Sequence, residues 1–121
     1  MAVDVVDSLK ITDLERLELC AANLKGLVLD AAHAAGSGHI GLPLGCARLG
    51  VYLFAKWLRV SPSAPDWPNR DRFILSAGHG SLLLYTCLHF LGFPISLDEF
   101  RCYRAFDSRL SSHPEFGRLP G

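Results

Sequence analysis

The sequence has no excess of either charge: 12 basic residues stand against 12 acidic ones in 121 residues. Without a basic surplus there is nothing to neutralise a phosphate backbone, which argues against strong non-specific nucleic-acid binding. Coating of an anionic membrane is disfavoured for the same reason. Long apolar runs are missing as well. The greasiest stretch, residues 82–93, contains Tyr85, Thr86 and His89 and is too short and too polar to span a bilayer. Met1 is followed by an acid-containing, weakly apolar start without a basic segment or apolar core, so no secretory signal is read there. Cys20, Cys46, Cys87 and Cys102 form no Cys-x-x-Cys pair, and zinc-ribbon and thioredoxin-like chemistry therefore have no support. Each lies in an apolar-periodic stretch where a free buried thiol is expected. That usage fits a reducing cytosol. There is no internal repeat and no low-complexity segment.

What is present is an ordinary globular composition, 50% hydrophobic and 20% charged. The length is one domain or part of a larger one. Residues 1–11 read as a loose lead-in. Thr12-Asp13-Leu14-Glu15 has the form of a capping box, a hydroxyl followed three residues on by a carboxylate. Leu14, Leu17, Ala21, Leu24, Val28, Ala31 and Ala35 then recur at three- and four-residue steps, one apolar face of a helix. Gly36-Ser37-Gly38 stops it.

Pro43 suits the first turn of a second helix, where a missing amide hydrogen costs nothing. Leu44, Ala47, Val51, Phe54, Ala55 and Leu58 line that helix. Its small residues Gly45, Ala47 and Gly50 allow a neighbouring backbone close. Residues 61–69 are a loop by composition. Arg72-Phe73-Ile74-Leu75-Ser76 reads as a short buried strand, followed by Gly78-His79-Gly80-Ser81 and a buried helix from Leu82 that Gly92 and Pro94 stop. Ser96-Leu97-Asp98-Glu99 repeats the capping-box pattern and opens a short helix reaching Tyr103. The tail from Ser111 to Gly121 is loop-like. One strand cannot form a sheet alone. The fold class read here is α/β: the opening, mostly helical part of a parallel-sheet domain, incomplete as it stands. A strand, a glycine-flanked polar turn and an apolar helix are how such a sheet places a ligand at its strand ends.

Five histidines carry most of the available chemistry. His33 and His89 sit within helical stretches without a polar cluster at helical spacing, and read as structural or surface residues. His39 stands between Gly38 and Ile40-Gly41. Either it is presented into a cleft, since flanking glycines let a backbone approach a ligand, or it merely caps the next helix. His79 lies at a strand-to-helix junction, where free amides attract an anion and an imidazole adds a hydrogen bond to phosphate. The motif lacks the spaced glycines and Lys-Ser/Thr of a Walker A loop, and a glycine-rich packing turn is the alternative. His113 precedes Pro114-Glu115, which biases it to extended geometry. It reads as an outward-aimed ring or an ordinary loop residue.

The order of the motifs is more specific than any one of them. Ser37-Gly38-His39-Ile40-Gly41-Leu42-Pro43-Leu44-Gly45, then Asp71-Arg72-Phe73-Ile74-Leu75-Ser76-Ala77-Gly78-His79-Gly80-Ser81, then Ser112-His113-Pro114-Glu115 resembles the start of the transketolase family, from about Leu14 to Gly121. The resemblance implies the opening of a thiamine-diphosphate-binding domain across residues 1–121. It implies a transferase that moves a two-carbon ketol unit from a ketose phosphate to an aldose phosphate. Thiamine diphosphate and Mg2+ are the implied cofactors. A cytoplasmic homodimer of the pentose phosphate pathway, acting on sugar phosphates with no nucleic-acid or membrane partner, is the implied setting.

By the same resemblance His39 and His113 are catalytic and substrate-binding, and His79, with Gly78 and Gly80, binds the cofactor. Three departures stand out: Ile40 where the family usually has proline, Ala77 where it often has asparagine, and Ser111-Ser112 in place of Pro-Gly. None removes a chemical group from the three histidines. The family's Gly-Asp-Gly metal motif has no counterpart here, so the resemblance puts the metal ligands beyond residue 121. The chain alone is then expected to be inactive. A catalytically dead remnant or a partner-binding fragment is the competing expectation.

Overall fold

The computed structural model describes residues 12–121, and the lead-in read at 1–11 lies outside the described residues. Helix α1 spans Asp13–Ala35. It begins where the capping box predicts: Glu15 N–H donates to Thr12 Oγ1 at 3.2 Å, and Thr12 N–H donates to Glu15 Oε2 at 2.7 Å. Two orphan amides of the helix end are thereby satisfied reciprocally. Gly36, at φ 68°, ends the helix in the left-handed region, with Ser37 N–H reaching Ala32 O at 3.2 Å. Ala21, Leu24, Val28 and Ala31 are buried on one face. The expected apolar stripe is shorter than the periodicity suggests, because Leu14 remains 69% exposed.

The single second helix expected after Pro43 is bent into pieces. Helix α2 is Gly41–Gly45, and α3 is Ala47–Tyr52, running into a π-helical turn at Leu53–Trp57. The bend falls at Cys46 (φ −102°, ψ 9°), directly after Gly45, where a helix without a side chain deforms readily. The hydrogen-bond ladder survives it, Cys46 N–H to Leu42 O and Gly50 N–H to Cys46 O, both 2.8 Å. Ala47, Val51 and Phe54 face the core, and Ala55 points outward instead. A 3-10 turn at Gly78–Gly80 leads into α4, Ser81–Leu91. Helix α5, Leu97–Arg101, carries the second capping box, with Glu99 N–H on Ser96 Oγ at 3.3 Å. It stops two residues short of Tyr103, which is nonetheless buried. Helix α1 packs against α3, α4 and α5, around Leu24, Val28, Leu82, Tyr85, Phe100 and Leu110.

Two expectations are corrected. Residues 72–76 form no strand, and no strand occurs among the described residues. The segment still alternates as a strand does, with Phe73 and Leu75 half-buried and Arg72, Ile74 and Ser76 exposed. A strand needs a partner for its ladder, and none of the described backbone groups pairs with 72–76. The cysteines are free, as expected, but only Cys87 is buried. Burial pushes its thiol up to about 12. Cys20 and Cys102 are exposed, because each falls on the solvent side of its helix or at its end. Among the described residues no helix is long and apolar enough to cross a membrane.

The loop 59–71 is clamped at its base. Arg59 N–H donates to Asp71 Oδ2 at 2.7 Å and Asp71 N–H to Arg59 O at 2.9 Å. The backbone hydrogen bond from Arg59 holds the Asp71 carboxyl below its ordinary value. The unfolded chain therefore binds the proton more readily, and the clamp stabilises the fold fully above the ordinary value of 3.8. That contribution is lost as pH falls through the lowered value. Urea midpoints of the protein and of Asp71→Asn should differ at pH 7 and converge below that range. A constant difference would show that the carboxylate is not the stabilising form.

Of the three small residues expected to admit a neighbour, Gly50 does so and Gly45 does not. A Cβ on Gly50 would lie 2.9 Å from Leu83 Cδ1 and 3.0 Å from Cys87 Sγ, whereas Gly45 faces open space. Gly50→Leu should lower stability by about 1–3 kcal/mol through overpacking. Gly50→Ala should change it by less than about 1 kcal/mol, since better helix propensity offsets the tight contact. Denaturant titration of both variants measures the difference.

Candidate functional site

The site forms where three connections meet over the first turn of α4. The turn between α1 and α2 carries His39, the 3-10 turn carries His79, and the loop after Leu110 carries His113. The rings of His39 and His79 meet edge to face, centroids 5.3 Å apart at 80°. A Cβ on Gly78 would lie 3.1 Å from His113 Cδ2, so the His113 ring rests on the Gly78 backbone. All three histidines are exposed. The fold thus brings all three sequence-predicted histidines to one mouth, from segments more than thirty residues apart in the chain.

Glycine makes the approach possible. At Gly78 the space of a side chain is taken by His113, and at Gly80 it is taken by Leu42 of α2, 2.5 Å from a built Cβ. At Gly38 the same space is filled by Ala32 Cβ at 3.2 Å and Tyr103 Cε1 at 3.4 Å. Each glycine therefore sits where a side chain would meet another part of the chain, most tightly at Gly80.

A line of buried hydroxyls then fixes the His113 loop. Ser81 Oγ and Tyr85 Oη both donate to the Ser111 carbonyl, at 3.2 and 2.9 Å. Tyr103 Oη lies 3.4 Å from Ser81 Oγ, which accepts while its own proton goes to Ser111. Burial, the larger effect, raises Tyr85 above the usual phenol value, so its hydroxyl stays a donor. Ser111 Oγ donates to His113 O at 2.6 Å, and Ser112 Oγ sits 3.2 Å from His113 Nδ1. Sequence reasoning missed Ser81, Tyr85 and Tyr103. The available signal was a hydroxyl inside an apolar run, since a buried hydroxyl demands a partner. His89 is structural, as expected: its Nδ1 is 2.6 Å from Ile95 O, and its ring packs edge-on against Phe90 and Phe100. His33 is exposed in the last turn of α1.

The start of α4 suits an anion. It has no side-chain cap and no acidic residue in its first turn, and His79 stands beside it, which leaves positive character at the helix end. A cation is not provided for. Among the described residues no three histidine, cysteine, aspartate or glutamate side chains are grouped to hold a metal.

The family model described as "Transketolase, thiamine diphosphate binding domain" matches residues 17–121. The transketolase of Physarum polycephalum is 49% identical over 109 residues, covering 90% of this chain and 16% of the relative. That of Treponema pallidum is 47% identical over 107 residues, covering 88% and 16%. Among solved structures, the Campylobacter jejuni transketolase superimposes with a TM-score of 0.84 at 38% identity, over 90% of this chain and 17% of that one. A Pichia stipitis transketolase in complex with sedoheptulose-7-phosphate superimposes with a TM-score of 0.83 at 37% identity, over 87% and 15%. The chain thus spans 16% of the length of the curated relatives it matches.

The hydroxyl line makes a prediction of its own. Tyr85→Phe should lower stability by about 1 kcal/mol, because Ser81 still serves the Ser111 carbonyl. Adding Ser81→Ala should cost more than the two single changes together, since the carbonyl then has no donor. Amide exchange at 111–113 should quicken in the double variant while α1 stays protected. Unchanged exchange there would show that these hydroxyls do not hold the loop.

Proposed function

We propose that this chain, which belongs to the transketolase family, forms one wall of a thiamine diphosphate site in an enzyme of ketol transfer. The reaction moves a two-carbon ketol unit from a ketose phosphate to an aldose phosphate. The observation that carries this reading is the convergence of His39, His79 and His113 at an uncapped, acid-free helix start. Sugar phosphates as substrates are supported by the sedoheptulose-7-phosphate complex of the Pichia stipitis relative.

Thiamine diphosphate, when bound, supplies the carbon nucleophile and the electron sink. The protein's part is recognition, orientation and proton handling. His79, with Gly78 and Gly80 of the same turn, is assigned to the diphosphate, where the ring N–H and the helix end favour the anion. His39 is assigned to the reacting end of the sugar, holding or releasing a proton at a substrate hydroxyl. His113 is assigned to hydrogen-bond the donor sugar near the same end. Its loop, pinned by Tyr85 and Ser81, keeps the ring from drifting, and such positioning lowers the entropy cost of reaction. Mg2+ belongs to the family's chemistry, but the described residues offer it no ligand set, so its ligands are assigned to residues other than these. A cytoplasmic homodimer with its site between subunits completes the proposal.

The test is thiamine diphosphate binding and ketol transfer by the protein as its own cells make it. His79→Ala should weaken cofactor binding about 10- to 100-fold, the worth of one charge-assisted hydrogen bond. His39→Ala and His113→Ala should leave cofactor affinity nearly unchanged and lower turnover about 10²- to 10⁴-fold. Cofactor binding by His79→Ala equal to that of the wild type would overturn the assignment. No binding by the wild type would favour an inactive or partner-binding chain.

A further inference from the structure

Among the described residues no hydrogen bond reaches the His39 ring, which meets the His79 ring edge to face at 5.3 Å. Its direction must therefore come from the backbone turn that precedes it. That turn holds two glycines, Gly36 and Gly38, and two such residues give a free chain many other conformations.

Two consecutive residues from a distant loop grip this turn. Tyr103 is buried, and its ring edge lies where a side chain on Gly38 would sit, 3.4 Å from the built Cβ. Arg104 lies on the rim, and its Nη1 donates to Ser37 Oγ at 3.0 Å across 67 residues of sequence. Arg104 adopts φ 65°, a left-handed conformation that a side-chain-bearing residue takes only when its surroundings impose it. The imposing contacts are visible. Arg104 N–H donates to Leu110 O at 2.9 Å. Arg109 anchors the base of the same loop through Glu99, Nε to Oε1 at 2.7 Å, and Pro94 O at 2.8 Å. Strained backbone is thus spent on sending a guanidinium to a serine two residues before His39.

We propose that Arg104 is a positioning residue for His39, acting through the Ser37 hydroxyl to hold the 36–38 turn in the form that turns the ring toward the mouth. The inference rests on the ketol-transfer reading for its kinetic consequences, but its structural claim stands apart from that reading. A planar guanidinium with a fixed donor direction suits the task better than a flexible ammonium, so Arg104→Lys should restore part of the effect.

The test uses the intact protein, labelled with 15N-histidine, in four variants: Arg104→Ala, Arg104→Lys, Ser37→Ala, and Arg104→Ala with Ser37→Ala. The ring-nitrogen signals of His39 should shift in Arg104→Ala and in Ser37→Ala, while those of His113 stay in place. Turnover should fall about tenfold in Arg104→Ala with the donor KM unchanged, as for a misplaced catalytic group. The double variant should be no worse than the poorer single one, because both changes break one contact. Unmoved His39 signals, a rise in KM alone, or losses that multiply in the double variant would each overturn the proposal. Absence of ketol transfer in the wild type would count against the proposed function instead, and the His39 signals would still decide the role of Arg104.

Discussion

Three hydroxyls buried at the start of α4 set the terms for everything around them. Ser81, Tyr85 and Tyr103 are each no more than 2% exposed, and a buried hydroxyl without a partner costs about 1–3 kcal/mol. Their partners do not come from the carbonyls of α4, which the buried Thr86 hydroxyl uses instead, at 2.6 Å to Leu82 O and 3.1 Å to Leu83 O. They come from the Ser111 carbonyl and from one another. The loop that bears His113 must therefore cross the helix at one place, and Tyr103 must lie beneath the turn that bears His39. Satisfying three polar groups in an apolar core places two of the three histidines near the third.

The glycines complete that constraint by removing bulk rather than by opening space for a ligand. Gly78 makes room for His113, Gly80 for Leu42, and Gly38 for Tyr103 and Ala32. A glycine-rich turn before a helix invites a phosphate-cradle interpretation, and the helix start here does lack a cap and an acid. The side-chain space at these positions is nevertheless filled by the chain's own residues. The two roles are compatible, because packing fills the side-chain space of the turn while the exposed His79 ring is left to an anion.

Much of this was legible in the residues themselves. Both capping boxes and the left-handed stop at Gly36 follow from local chemistry that needs no partner and appear as read, and the middle of the expected α1 face, Ala21 to Ala31, is buried. The three histidines were legible as a set only through the order of their motifs, since distance in space is not written in local pattern. What failed was whatever depended on neighbours. Residues 72–76 keep the alternation of a strand but pair with nothing described. Leu14 and Ala55 fit an apolar period yet have no element packed over them. The bend at Cys46 reflects a compromise between α2 meeting Gly80 and α3 meeting α4 at Gly50, a tertiary demand invisible to periodicity. The tyrosine hydroxyls were the real omission, readable as a need for partners but not as to which.

The central claim is that His39, His79 and His113 share one mouth built to receive thiamine diphosphate. Diethylpyrocarbonate labelling with peptide mapping tests it most directly, carried out on the intact protein with and without thiamine diphosphate. All three exposed rings should react in the free protein, as should His33. Bound cofactor should slow His79 sharply, slow His39 and His113 to a lesser degree, and leave His33 unchanged. Equal labelling of His79 with and without the cofactor, under conditions where the cofactor binds, would contradict the account.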